Sequence, residues 1–263
     1  MKNNRSKPKI LLSNDDGITA PGIAALYDAL SKLGDCIIVA PETERSGTAH
    51  GITMRTPIRV REHSLNGKLF GYAVAGTPVD CVKIALNTLL DRPPDLLVSG
   101  INPGSNVAVN AIYSGTVAGA AEGGIMNIPA MAVSLASHKF NDYTVAASAA
   151  YLIAEKILKF GLPQHTFLNI NVPPVGIDEI AGIKITHMCR TYFDDTYEER
   201  IDPSRNPYYW LRGEKVILDE SADADENALR NKYITVTPLD CDMTNYKALE
   251  ELNNWELKTN DLE

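Results

Sequence analysis

The chain has 263 residues, 44% of them hydrophobic, which is enough for a sizeable core and unlike a disordered composition. Its 33 acidic and 25 basic residues leave a formal charge of −8, which disfavours nonspecific binding to a nucleic acid duplex or to an anionic membrane. An anionic ligand therefore needs a local device against that field, such as a metal ion or a cluster of backbone N–H groups. The cysteines Cys36, Cys81, Cys189 and Cys241 form no C-x-x-C pair and have no zinc-type spacing with histidine, so reduced, packing thiols are expected. No run of about 18 apolar residues occurs and "MKNNRSKPKI" lacks a signal-peptide core, so a cytoplasmic protein is expected.

In chain order, residues 9–12 and 36–41 read as strands flanking a periodic helix at 21–34, with Pro21 suited to its first turn and Gly34 to its end. That βαβ unit implies a parallel sheet. The theme continues with a helix at 79–90, a strand at 95–100, a helix at 114–125, a strand at 129–135, a helix at 143–160 and a strand at 166–172. The expected fold is α/β, a Rossmann-like, doubly wound, mostly parallel sheet. Short β-like runs at about 48–76 and from 177 to 240 suggest hairpins, and 245–257 reads as a terminal helix. The expected division is a catalytic core over 1–176, with a β excursion at about 48–76, and a β-rich region with a C-terminal helix over 177–263.

Ligands of such sheets bind at the carboxyl ends of the strands. The loops there carry the densest clusters of glycine and small polar residues. "SNDDG" sets Asp15 and Asp16 side by side after a buried strand, and consecutive side chains of a continuing strand point to opposite faces. A turn at Gly17 lets both converge on one hard cation of the Mg²⁺, Mn²⁺ or Ca²⁺ type; taken alone, the run is also ordinary turn chemistry. Ser46 in "RSGTAHG" is either a loop or capping serine or a hydroxyl that completes an octahedral shell. Asn102 and Asn106 in "SGINPGSN" offer a neutral oxygen ligand and an amide donor for phosphate. Ser114, Gly115 and Thr116 open a helix whose free N–H groups and dipole suit an anion, although an N-cap accounts for one of the hydroxyls. The histidines show no ligand spacing, and His50, the one near a candidate loop, reads as an incidental surface residue. No G-x-S-x-G elbow, P-loop or G-x-G-x-x-G follows the first strand.

The segments "ILLSNDDGITAPGI", "VAPETERSG", "GTPVDCVKIAL", "PDLLVSGIN", "YSGTVAGAAEG", "PAMAVS", "LNINVP", "DPSRNPYYWL" and "YITVTPL" together resemble the SurE family of stationary-phase survival proteins, in that family's order. The resemblance implies a Rossmann-like core, a β-rich C-terminal region used in homodimer or homotetramer assembly, and metal-dependent hydrolysis of nucleoside monophosphates to nucleoside and phosphate, possible also for short polyphosphate. By motif match, Asp15, Asp16, Ser46 and Asn102 correspond to ligands of one divalent cation per subunit, Mg²⁺ or Mn²⁺. Asn106, Ser114, Gly115 and Thr116 correspond to the phosphate pocket, and Asp15, Asp16 and Asn106 carry the catalytic roles. Two departures stand out: Ala108 and Asn110, where the family often has a glycine and an aspartate, and Lys232, where a glycine commonly precedes the aromatic of the late strand. An N-ribohydrolase acting on nucleosides and a noncatalytic nucleotide-binding stress protein are the rival readings. A serine-glycine-threonine anion seat beside a hard-cation cluster favours the phosphatase over both.

Overall fold

The computed structural model describes residues 7–140, 142–255 and 257–259. The chain runs β1 (Lys9–Ser13), α1 (Pro21–Leu30), β2 (Asp35–Pro41), β3 (Val60–Leu65), β4 (Lys68–Val74), α2 (Pro78–Ile84), β5 (Leu96–Pro103), α3 (Asn110–Tyr113), α4 (Gly115–Ile125), β6 (Ala130–Leu135), α5 (Thr144–Phe160) and β7 (Phe167–Val172). It continues through β8 (Gly182–Ile185), β9 (Thr191–Ile201), β10 (Pro207–Ile217), α6 (Asp225–Arg230), β11 (Tyr233–Leu239) and α7 (Tyr246–Asn253). Nine strands form one sheet in the order β3-β4-β2-β1-β5-β6-β7-β11-β8. Strands β4, β2, β1, β5, β6 and β7 are mutually parallel, whereas β3 and β11 run antiparallel to β4 and β7.

The alternation of side chains along β1 builds the layers. Ile10 and Leu12 face a core shared with Ile23 and Leu26 of α1 and Ala150 and Ile153 of α5, while Leu11 faces the opposite core with Cys81 and Val82 of α2 and Val117, Ala120 and Ala121 of α4. From β1 the chain first builds outward through β2, then returns to lay β5, β6 and β7 on the other side. Strand order therefore reverses between β1 and β5, and the crevice of a doubly wound sheet opens at their carboxyl ends. Those ends lead into "NDDG" and "NPGSN".

The helix expected at 79–90 is α2 followed by a π-type turn over Ala85–Leu89, closed by the Leu90 N–H to the Ala85 carbonyl at 2.9 Å. Thr77 caps α2 in a box with Asp80, whose carboxylate also accepts from the backbone N–H and hydroxyl of Thr53. The terminal helix is shorter than the expected 245–257, and Glu256 lies outside the described residues. All four cysteines are free, and burial pushes the Cys36 thiol up to about 12, as suits a packing side chain. Among the described residues, no helix is long and apolar enough to cross a membrane.

The β-like runs after 176 have two destinations. Strands β8 and β11 extend the main sheet, so it crosses the expected boundary near 176, while β9 and β10 pair only with each other in a ribbon of 11 residues per strand. The ribbon's root is tied to the core by Asp225 of α6. Its fully buried carboxylate accepts from the N–H groups of Ala108, Cys189 and Glu226 at 3.0, 2.9 and 2.8 Å. One side chain thus joins the segment entering β9 to the loop that follows β5. Replacing Asp225 with Ala leaves three N–H groups without an acceptor and should cost on the order of 3 kcal/mol, read as a lowered urea midpoint. An unchanged midpoint would show that the loop and ribbon root are held by something else.

Candidate active site

Asn14 shapes the acidic turn: its amide donates to the Gly17 carbonyl at 2.9 Å and its carbonyl oxygen accepts from the Gly17 N–H at 3.2 Å. This closure needs Gly17 at φ +100°, a backbone conformation L side chains rarely adopt. The loop after β2 folds back onto the same turn, with the Arg45 N–H on the Asp15 carbonyl at 2.7 Å and the Ile18 N–H on the Pro41 carbonyl at 2.9 Å. The two carboxylates are therefore presented by a turn locked on both sides.

Asp15 is 4% exposed, and its Oδ1 accepts the hydroxyl of Thr116. Burial raises its carboxyl above the usual range against the opposing pull of that hydrogen bond. Asp16 is half-buried, and its Oδ2 is withdrawn from solvent with no hydrogen-bond partner. Burial first, then the charges of Asp15 and Glu44, push its carboxyl up to about 7. Among the described residues, neither aspartate has an ion pair, although buried carboxylates ordinarily acquire one. A buried oxygen without a donor beside a second carboxylate fits a hard divalent cation.

Asp15 opens onto a cavity of about 230 Å³ whose wall includes Ser46, Asn102, Asn106, Ser114 and His138. Asn102 reaches it because the pairing of β5 with β6 slips between Gly100 and Asn102, a bulge that re-aims the strand end. The Asn102 amide nitrogen donates to the Gly104 carbonyl at 2.8 Å, so the carbonyl oxygen is the atom it offers a cation. Ser46 is exposed, and its hydroxyl donates to Glu44 at 2.7 Å. That contact brings a third carboxylate to the edge of the pair.

Asn106, expected in the phosphate pocket, is held from three directions. Its N–H donates to Asn171 Oδ1 at 2.7 Å, its carbonyl accepts from Asn169 Nδ2 at 2.7 Å, and its own amide donates to Ser134 Oγ at 2.9 Å. Ser114 is the N-cap of α4, accepting from the Val117 N–H at 3.1 Å, which leaves the N–H groups of Gly115 and Thr116 without intrahelical acceptors. Gly115 allows close approach, since a Cβ there would stand 3.1 Å from Asp15 Oδ2. Thr116 is fully buried with its hydroxyl on Asp15, and it does not line the cavity. It bears on the site through that aspartate.

Sequence reasoning missed Glu44, Ser134, Asn169, Asn171 and His138. Asn169 and Asn171 in "LNINV" carried a signal, because alternating asparagines are unusual in a buried strand and each needs a partner. His138 carried none: nothing local marks it, yet its ring borders the cavity beside Gly104. His50 turns instead to Glu122, with Nε2 2.9 Å from the carboxylate that also binds Lys83 at 2.6 Å.

The family model described as "Survival protein SurE" matches residues 10–195 of the chain. The chain belongs to the SurE family. It is 47% identical over 256 residues to a protein of Chlorobium limicola named 5'-nucleotidase SurE, covering 97% of this chain and 99% of that relative. A family member of the same name from Chlorobaculum tepidum is 46% identical over 252 residues, 96% of each chain. The crystal structure of the SurE protein from Aquifex aeolicus is 38% identical and superposes with a TM-score of 0.83, covering 95% of this chain and all of that one.

A carboxyl whose folded pKa lies above its unfolded value binds its proton more tightly when folded. Its stabilising contribution is present below about pH 4 and is lost as pH rises through 7. In EDTA, Asp16→Asn should therefore raise the thermal midpoint over the parent by a few degrees at pH 7.5 and by little at pH 4.5. Added Mg²⁺ should close the gap from the parent's side. Equal midpoints at both pH values would mean that Asp16 is not strained by burial.

Proposed function

We propose that the chain is a divalent-cation-dependent nucleotidase that hydrolyses nucleoside monophosphates and short polyphosphates in the crevice between β1 and β5. The observation that carries this reading is the unpartnered buried oxygen of Asp16 next to Asp15, whose own carboxylate meets Thr116 in the first turn of α4 and lines the cavity together with Ser114. Near-full-length relatives named 5'-nucleotidase support the substrate class.

Asp15, Asp16, Ser46 and Asn102 would hold one cation, and their all-oxygen donor set suits Mg²⁺ or Mn²⁺. When bound, such a cation supplies Lewis-acid neutralisation of phosphate charge and makes a water more acidic. Asn106 directs its second amide N–H at a non-bridging oxygen, and the Gly115 and Thr116 N–H groups receive the others at the positive end of α4. Thr116 keeps Asp15 oriented. The aspartate pair orients the attacking water and takes up its proton. His138, which borders the cavity beside Gly104, delivers a proton to the leaving ester oxygen. The ribbon and C-terminal region carry homodimer or homotetramer assembly, because Tyr197, Ile201, Tyr209 and Trp210 stand exposed on a two-stranded element that is marginal alone. A cytoplasmic location completes the reading.

Phosphate release from nucleoside monophosphates should require Mg²⁺ or Mn²⁺, vanish in EDTA, and fall about a hundredfold or more in Asp15→Asn. Undiminished turnover of that variant in metal-replete buffer would sink the assignment. His138→Gln should slow nucleoside monophosphates roughly ten- to a hundredfold, yet leave p-nitrophenyl phosphate nearly unaffected, since that leaving group needs no proton. Equal losses on both substrates would remove His138 from the acid role.

A further inference from the structure

Residues 42–59, between β2 and β3, form no helix or strand, yet they carry Ser46 to the cavity. A segment without regular structure opens easily unless it is tied down, and here the ties lie on both sides of the serine. Before it, the Arg45 N–H is bound to the Asp15 carbonyl. After it, the Thr48 hydroxyl closes a turn onto the Arg45 carbonyl at 2.9 Å, and the Ala49 N–H reaches the Tyr113 carbonyl at 3.2 Å. The turn leans on the first residue of α4, since a Cβ on Gly115 would stand 3.2 Å from Thr48 Oγ1. Ala49 leaves it at φ +49°, a left-handed conformation that an alanine keeps only where its neighbours hold it.

The neighbour that does so is His50, expected as an incidental surface residue. Its Nε2 donates to Glu122 Oε2 at 2.9 Å, while Lys83 of α2 meets Oε1 at 2.6 Å. Glu122 lies about two turns beyond Gly115 on the same face of α4, with its side chain 3% exposed. A carboxylate so deep needs partners for its oxygens, and of its two contacts His50 does most to hold the carboxyl below the usual range. Lys83 joins two helices that already share a core through Val82 and Ala121. His50 differs, because it joins α4 to the loop that presents Ser46. Beyond it the loop is tied to the start of α2, where the Thr77 hydroxyl donates to the Gly51 carbonyl at 2.8 Å and Asp80 accepts from Thr53.

We infer that His50 is a positioning residue for the cation site: its bond to Glu122 holds the Arg45–Ala49 turn on α4 and thereby keeps the Ser46 hydroxyl at the cavity. The inference rests on the reading of Ser46 as a cation ligand. It makes α4 a common support of the site, because Thr116 orients Asp15 from the first turn and Glu122 fixes the Ser46 loop from further along. A ligand held in place before the cation arrives needs less ordering when it binds. Releasing the loop therefore weakens the cation without removing a donor, as loss of an outer partner of a metal ligand does.

Mn²⁺ titrated calorimetrically into the full-length protein without substrate reads this directly. His50→Ala should raise the dissociation constant roughly tenfold, whereas His50→Gln, whose amide can still donate to Glu122, should keep the parental value. Lys83→Met removes the other partner of Glu122 without touching the loop and should leave Mn²⁺ affinity as in the parent. In a Ser46→Ala background, His50→Ala should add no further loss, because both act through one ligand. An unchanged constant in His50→Ala, the same loss in Lys83→Met, or a full additional loss on Ser46→Ala would overturn the inference. Amide hydrogen exchange in EDTA supplies a readout without the cation: residues 47–53 should exchange about tenfold faster in His50→Ala than in the parent or in His50→Gln. An unchanged exchange rate overturns the inference whatever the titration gives. A parent that takes up no Mn²⁺ defeats the cation reading instead, and the hold of His50 on the loop is then decided by exchange alone, upheld by the faster rate and overturned by an equal one.

Discussion

Two adjacent carboxylates taken out of water without a cationic side chain to meet them are the constraint on which the site depends. Desolvation and mutual repulsion both oppose ionisation, and Glu44 adds to the repulsion. Such an arrangement persists only where its surroundings over-determine it. Here β1, fully buried from Ile10 to Ser13, fixes the direction of approach, Asn14 closes the turn, the Arg45 N–H secures the Asp15 carbonyl and Thr116 orients its carboxylate. The stability given up at the turn is the cost of the cation site proposed there, a common relation between stability and activity.

The other half of the crevice is built from neutral groups. Among the described residues no lysine or arginine lines the cavity, so in a chain of net charge −8 the proposed phosphate seat consists of amide N–H groups and a helix end. Neutral donors must be aimed to be effective, which explains why Asn106 is gripped by Asn169, Asn171 and Ser134 at once. Asp225 adds a fourth restraint two residues further on, through the Ala108 N–H, and extends it to the ribbon's root through Cys189. Ala108 sits there at φ +53°, a left-handed conformation that a glycine would adopt without strain. The departure from the family's frequent glycine is thus accompanied by a hydrogen bond from the Ala108 N–H to a side-chain carboxylate of a distant helix. Asn110 turns its amide toward the Ser105 carbonyl at 3.5 Å, within the same loop.

Much of the fold was legible in the sequence because its signals are local. Continuous apolar runs such as Ile10, Leu11 and Leu12, with helical periodicity between the strands, mark a parallel sheet covered on both faces. The C-terminal third was legible only as β-like. A run rich in aromatic and β-branched residues reads alike whether it joins a sheet, as β11 does, or pairs with one partner away from it, as β9 does. The departure from regular helix at Ala85–Leu89 likewise has no distinct composition.

The sequence by itself determined the loops of the candidate site, because turn-forming residues after buried strands, a glycine at the acidic turn and a Ser-Gly-Thr helix start act over a few neighbouring residues. It also determined the oxygen-rich chemistry of the aspartate pair, which taken alone suits a turn or a hard cation. Only the tertiary structure decided how those loops are used. Thr116 meets Asp15 across 101 positions, Asn106 meets Asn171 across 65 and Ala108 meets Asp225 across 117, and no spacing rule reaches that far. Packing brings such groups together through strand order and register. For that reason a threonine expected on the phosphate stands on the aspartate, and a histidine with no local mark borders the cavity.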